Sequence, residues 1–279
     1  MKNHLTLSLI TFIFTLLGSS TAQVRLPPPS PTQTIKQEFG LGSVQVTYSR
    51  PRAKGRKVFG VLVPYDKLWR TGANAATQIK FSDPVEIGGK KVDSGTYVLY
   101  TIPRIDSWDI IINKGISNWG TTNYKESEDV IRLKAFPVKI RSKVENFTIQ
   151  FANISTESCD LNIIWEKTSV TIPITTNVKE MLRTQVEAGL LQDKKPYWQA
   201  AQFYNEYDHN LNKALDYVTK ALTENQKAYW IWLYKAKIQK EMGDNPGARI
   251  SSKRSMELAS EEKNEEYIKM NEDFQRKLK

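Results

Sequence analysis

The chain has 279 residues, 40 Lys and Arg against 30 Asp and Glu, a net charge of +10, two histidines and one cysteine. One of those histidines, His4, lies in an apolar N-terminal stretch, so His209 and Cys159 are what a processed chain would keep. A lone cysteine allows no intramolecular disulfide, and zinc centres and imidazole-based triads need more Cys and His than this, so neither a metal site nor a cofactor is expected. His209, in YNEYDHNLNKAL, is expected at a solvated turn, and Cys159, in SCDLNIIWE, as a half-buried strand residue.

The first 22 residues combine Lys2, an apolar run from Leu5 to Leu17 and small residues Gly18 to Ala22. This is the pattern of a secretory signal peptide cleaved near Ala22-Gln23. The run is shorter than the roughly 20 apolar residues a spanning helix needs. The expected product is exported, periplasmic or secreted, with no transmembrane segment in the mature chain. Residues 23–34, including QVRLPPPSP, should form a flexible proline-rich leader, because proline cannot donate to a sheet ladder.

From residue 35 to 175 apolar and polar residues alternate at period two, as at Val44, Val46 and Tyr48, at Tyr97, Leu99 and Thr101, and at Phe147, Ile149 and Phe151. Gly88-Gly89 between short apolar pairs signals a hairpin. Trp108 to Asn113, Val130 to Phe136 and the pair Leu161 to Trp165 and Val170 to Ile174 are further strands. Eight or nine short strands without a long helical pattern predict an antiparallel β-sandwich, with a partly closed barrel as the alternative.

Near residues 173–177 the pattern changes. Asn177 is a candidate N-cap with Glu180 three residues on, opening a helical region over 176–279. Tyr197-Trp198 returns as Tyr229-Trp230, and Ala214 and Ala221 return as Ala248 and Ser255. This spacing resembles degenerate tetratricopeptide repeats, with a plain helical bundle as the alternative. The fold class is therefore α+β as two domains, a β-sandwich followed by an α-helical, tetratricopeptide-like hairpin region.

Charge is concentrated in the first domain: residues 23–175 hold 21 Lys and Arg against 14 Asp and Glu. The densest run is Arg50 to Lys57, a Pro- and Gly-punctuated loop suited to an acidic partner, a phosphate or an anionic membrane surface, or to a solvated turn. Nucleic acid is not expected, because no binding module accompanies the run.

Tyr48-Ser-Arg-Pro51, Lys54-Gly-Arg56, Trp69-Arg-Thr-Gly-Ala-Asn74, Asn113-Lys114 and Trp119-Gly120 together resemble the family called domain of unknown function 2911, over roughly residues 35–140. Pro64-Tyr65-Asp66 departs from the Pro-Tyr-Gly expected there. The resemblance implies no established activity and no catalytic residue.

The candidate ligand-binding residues are Tyr48, Arg50, Arg70, Asn74, Lys114, Trp119 and Tyr124. An Arg fork, an Asn amide and a glycine permitting close backbone approach suit a carboxylate, phosphate or sugar hydroxyl. The structural alternative has Arg50 and Arg70 capping strands or pairing with Asp129 and Glu126, while Trp69, Trp108 and Trp119 fill the core. The leading expectation is a non-enzymatic module binding a small ligand or acidic partner, with the helical region open to a protein partner. The alternative is a hydrolase acting on a polysaccharide or other envelope component through Asp66, Asp129 or Glu126.

Overall fold

A computed structural model of the chain describes residues 26–278. The expected signal peptide lies outside the described residues.

Ten strands form two antiparallel sheets. The first is built from β1 (Thr32–Phe39), β2 (Gly42–Ser49), β3 (Thr77–Phe81), β6 (Gly95–Pro103), β7 (Trp108–Asn113) and β8 (Asp129–Ala135), in the order β1-β2-β3-β6-β7-β8. The second joins β4 (Val85–Ile87), β5 (Lys90–Val92), β9 (Val138–Ala152) and β10 (Ser158–Thr175), in the order β5-β4-β10-β9. Strand β1 starts at Thr32, so the last residues of the expected leader are already paired with β2.

The Gly88-Gly89 turn joins β4 to β5 with φ of 59° and 73°, a backbone that glycine adopts without strain. The expected pair Leu161–Trp165 and Val170–Ile174 lies within β10, which doubles back on itself. Thr176 donates to the Glu157 carbonyl at 2.9 Å and Thr171 Oγ1 to Asn162 Oδ1 at 2.7 Å. The reversal falls at Glu166, whose φ is +51°.

Both sheets feed one core, with Val44, Val46, Ile79, Leu99 and Ile110 from the first and Phe147, Ile149, Ile163, Trp165 and Ile172 from the second. At its centre Trp69 stacks on Trp165 at 6.1 Å and meets Phe147 and Trp108 edge-on. Each such aromatic pair is worth about 0.5–1.5 kcal/mol beyond its buried area. The seam between β2 and β9 is held by Tyr48, whose hydroxyl donates to the Ile149 carbonyl at 3.1 Å and accepts from the Ile149 amide at 2.9 Å.

Strands β6 and β7 differ from their neighbours in burying side chains on both faces. Behind the main core, Val98, Tyr100 and Ile111 meet Ala76, Leu68 and Tyr124 in a second, smaller core. What covers this outer face is not a sheet but two loops, residues 70–76 and 114–125.

Six helices follow: α1 (Val178–Leu190), α2 (Tyr197–Glu206), α3 (Leu211–Glu224), α4 (Tyr229–Glu241), α5 (Asn245–Glu261) and α6 (Glu265–Arg276). Asn177 caps α1 by accepting from the Glu180 amide at 3.0 Å. Helices α2 and α4 begin on the two Tyr-Trp pairs. Ala200, Ala201, Ala214 and Ala221 are buried between neighbouring helices, small enough to let backbones approach closely. Among the described residues no helix is long and apolar enough to cross a membrane.

Candidate functional site

The two loops on the outer face of β6 and β7 carry most of the motif residues, and each is fixed by its own chemistry. Trp69 exchanges backbone hydrogen bonds with Thr101 on β6, at 2.8 and 3.0 Å, and Thr77 resumes pairing at Leu99. Residues 70–76 therefore leave the strand line and return to it, closed by the Thr77 amide on the Arg70 carbonyl at 3.1 Å. Inside the loop the Trp69 indole donates to the Gly72 carbonyl at 3.0 Å. Thr71 is fully buried with φ +52°, a left-handed conformation that costs a β-branched residue about 1–3 kcal/mol. It is held there by the Thr101 hydroxyl at 3.1 Å and by Thr77 Oγ1 on its carbonyl at 2.6 Å.

The second loop hangs from one side chain. Asn113, fully buried at the end of β7, donates to the Lys125 carbonyl at 3.0 Å and to Asp129 Oδ1 at 2.8 Å, and accepts from the Gly115 amide at 2.8 Å. One amide thus clasps both ends of residues 114–125. Beside it, Asp129 accepts from the Tyr124 hydroxyl at 2.9 Å and from Arg132 Nη2 at 3.0 Å, while Arg132 also donates to Tyr124 at 2.7 Å. Burial, reinforced by the Asp129 carboxylate, pushes the Tyr124 hydroxyl up to about 12.

Under this loop Arg70 Nε is buried without a hydrogen-bond partner, while Tyr100 OH and Asn118 Nδ2 face each other without a well-formed hydrogen bond to any other group. They are neighbours. The Tyr100 ring meets Tyr124 edge-on at 5.3 Å, and the Asn118 amide lies close enough to Tyr100 to partly offset the rise that burial causes in its hydroxyl. A methyl group added at Gly120 would stand 3.1 Å from Arg70 Nη1, which places the guanidinium against the loop backbone. An unpaired buried polar group costs about 1–3 kcal/mol, so a cluster of incompletely bonded ones is where an added partner would be worth most. A cleft of about 670 Å³ opens beside them, lined by Lys114, Gly115, Ile116, Ser117, Asn118, Asn123, Tyr124, Lys125 and Glu128. At the crest of the same loop Trp119 is 68% exposed.

The seven candidate residues divide between two places. Lys114 and Tyr124 line the cleft, Arg70 lies against its loop, and Trp119 stands on the crest. Tyr48 and Arg50 instead face β9: Arg50 donates to the Phe147 carbonyl at 3.1 Å and to Thr148 Oγ1 at 2.9 Å. Asn74 turns toward the chain start, donating to the Ser30 carbonyl at 3.2 Å. Tyr100 and Asn118 were not singled out from sequence. For Tyr100 the signal is the near-unbroken apolar character of β6 and β7, which implies cover on both faces, whereas Asn118, in the loop after β7, carries none.

Other residues also found definite partners. Asp129 and Glu126 are engaged by Arg132, not by Arg50 or Arg70, with Glu126 at 3.4 Å. Trp69 and Trp108 fill the core, whereas Trp119 does not. Asp66, where glycine was expected, has φ +58°, so the turn keeps the left-handed backbone, and its carboxylate accepts from Arg104 at 2.9 Å. Burial pushes the Cys159 thiol up to about 11, which keeps it protonated and unreactive at neutral pH.

The family model of the protein of unknown function DUF2911 matches residues 30–174, just over half of the chain. The chain belongs to this family. The DUF2911 match reaches beyond the motif words, through β9 and β10, and ends immediately before α1, so it takes in both sheets and both covering loops. No curated protein and no solved structure matches the chain.

Proposed function

We propose that this DUF2911 protein is exported and that its β-region is a non-enzymatic binding module whose site is the cleft beneath residues 114–125. In this reading the two sheets are a β-sandwich and helices α2 to α5, with α1 and α6 flanking them, are a degenerate tetratricopeptide-like pair of hairpins that leaves room for a protein partner. The carrying observation is the cluster of incompletely hydrogen-bonded Arg70 Nε, Tyr100 OH and Asn118 Nδ2 behind a polar cleft that Asn118 lines. Elsewhere such atoms are nearly always satisfied, and a bound polar ligand or ordered water is what satisfies them.

The ligand chemistry follows from the lining. Lys114 supplies a cation with no acidic partner among the described residues, Asn118 and Asn123 supply amides, and Trp119 offers an exposed aromatic face beside them. Amides that read hydroxyls, a cation that reads a carboxylate and a ring that packs on a sugar face suit an acidic saccharide. The hydrolase alternative gains less support, because both Asp129 oxygens are already engaged by Asn113, Tyr124 and Arg132.

The test is binding to a panel of immobilised neutral and uronic-acid oligosaccharides. Retention on the acidic members, reduced at least tenfold by Lys114→Ala and by Asn118→Ala with melting unchanged, is expected. No retention on any member, or retention indifferent to both substitutions, would remove this reading.

A further inference from the structure

A second surface, at the opposite edge of the sheets from the Gly40 turn, combines exposed apolar side chains with a surplus of lysine. The pairings bring three loops together there. The turn joining β6 to β7 closes the pair Pro103 and Trp108, and carries Ile105, which is 73% exposed. Trp108 also pairs with Ala135, so Phe136, 69% exposed, follows directly beside that turn, and Val138 beyond it pairs with Ser169 on β10. The loop carrying exposed Val61 and Leu62 is tied to the same place by the Asp66 amide on the Pro103 carbonyl at 2.9 Å and by Phe59 against Trp108 at 4.9 Å.

Basic residues lie on the same loops and strand ends as these apolar tips. Lys57, Lys143 and Lys167 line a cleft of about 470 Å³ with Phe59, Tyr65, Glu166 and Thr168. Lys67, Lys134 and Lys139 are exposed nearby in sequence to the same loops. Of the local acids, Asp66 and Asp109 are held by Arg104, Glu145 by the Lys54 amide and Arg52, and Glu166 by the Val58 amide and Lys143, while Asp106, next to Ile105, is exposed and leaves the lysines in excess. Within the basic run Arg50 to Lys57, Arg56 is spent on the Ala53 and Arg52 carbonyls, whereas Lys57 faces the cleft.

We propose that this end of the β-region docks on an anionic lipid membrane, with Val61, Leu62, Ile105 and Phe136 entering the interface and the lysine-lined cleft receiving a lipid phosphate. The occupant is chosen on charge and shape together. Scattered apolar residues are ordinary on a surface, but Val61, Leu62, Ile105 and Phe136 on three adjacent loops, beside a lysine-lined cleft, match the apolar interior and anionic headgroups of a bilayer. An acidic protein would satisfy the lysines and leave the separate protruding tips without a complementary surface. The inference does not depend on the cleft beneath residues 114–125.

Co-sedimentation of the full exported protein with vesicles of phosphatidylglycerol and phosphatidylcholine, against phosphatidylcholine alone, tests it. Binding only to the anionic vesicles is expected, weakening as salt screens the charges. The triple substitution K57A/K143A/K167A should lower partitioning about fivefold per lysine, and I105S/F136S at least tenfold. To separate insertion from misfolding, Ile105→Cys is labelled with an environment-sensitive dye, which is selective because Cys159 is buried. A blue shift with anionic vesicles supports the proposal. Failure to bind anionic vesicles, equal binding to neutral ones, or binding without a dye shift overturns it.

Discussion

The α4–α6 end of the helical region and the outer face of the β-region both bury polar side chains and treat them in opposite ways, while Asn205 Oδ1 on α2 is a single open atom elsewhere among the helices. Between α4, α5 and α6, Ser251 donates to Gln239 at 2.6 Å, Ser252 bonds Asn271 at 2.8 Å, Asn271 reaches Ser255 at 2.9 Å, and Ser255 donates to the Tyr229 carbonyl at 2.7 Å. This ladder is closed, and it adds directional bonds to an interface otherwise packed by Leu233, Ile238, Leu258 and the alanines beside them. Beneath residues 114–125 the β-region leaves Arg70 Nε open and the Tyr100–Asn118 pair only loosely joined. Satisfied burial is a packing device, whereas unsatisfied burial beside a cleft is a place for something else to bind.

Substitutions can break or sharpen that contrast. The largest effect belongs to Trp69→Ala, which empties the aromatic centre of the core and removes the hydrogen bond to Gly72. A loss of about 3–5 kcal/mol is expected from urea denaturation. The same measurement on Asn271→Ala should give about 1–3 kcal/mol, because Ser252 and Ser255 lose a buried partner. If Asn271→Ala proves neutral, the helical ladder is not the closed device described above.

Much of this division is legible in sequence, and what is not has a physical cause. The Gly88-Gly89 hairpin, β7 from Trp108 to Asn113 and the Asn177 cap depend on local chemistry, and all three form. Arg50 misled because sequence shows an arginine beside a proline but not the Phe147 carbonyl that receives it from β9. Tyr100 was missed for a related reason. Alternation selects Tyr97, Leu99 and Thr101 as the inner face of β6, and the outer face becomes buried only when two distant loops fold over it. Pairings across the whole chain decide those contacts, and no local window contains them.

A smaller, pH-dependent effect comes from Asp109. The Arg104 guanidinium, bonding it at 2.8 and 3.0 Å, holds its carboxyl below the usual carboxylate range. A depressed folded value contributes stability that is present above the unfolded value of about 3.9 and lost as pH falls through the folded one. Melting temperature should therefore decline below about pH 4, and Asp109→Asn should flatten that decline while lowering stability at pH 7. An unchanged acid limb in the variant would mean that this pair is not what the pH dependence reports.

The smallest effect is the most telling for the site. Tyr100→Phe removes a fully buried hydroxyl whose one polar neighbour, the Asn118 amide, is poorly aligned with it, so it should change stability by less than about 0.5 kcal/mol, or raise it, where a well hydrogen-bonded tyrosine would lose more. Tyr124 is the built-in comparison, because its hydroxyl bonds both Asp129 and Arg132 and Tyr124→Phe breaks that network. A near-neutral Tyr100→Phe that nevertheless weakens retention on acidic oligosaccharides would assign the open hydroxyl to the ligand. A Tyr100→Phe protein as destabilised as Tyr124→Phe would mean that the hydroxyl is satisfied within the fold, and the contrast between the two regions would lose its strongest element.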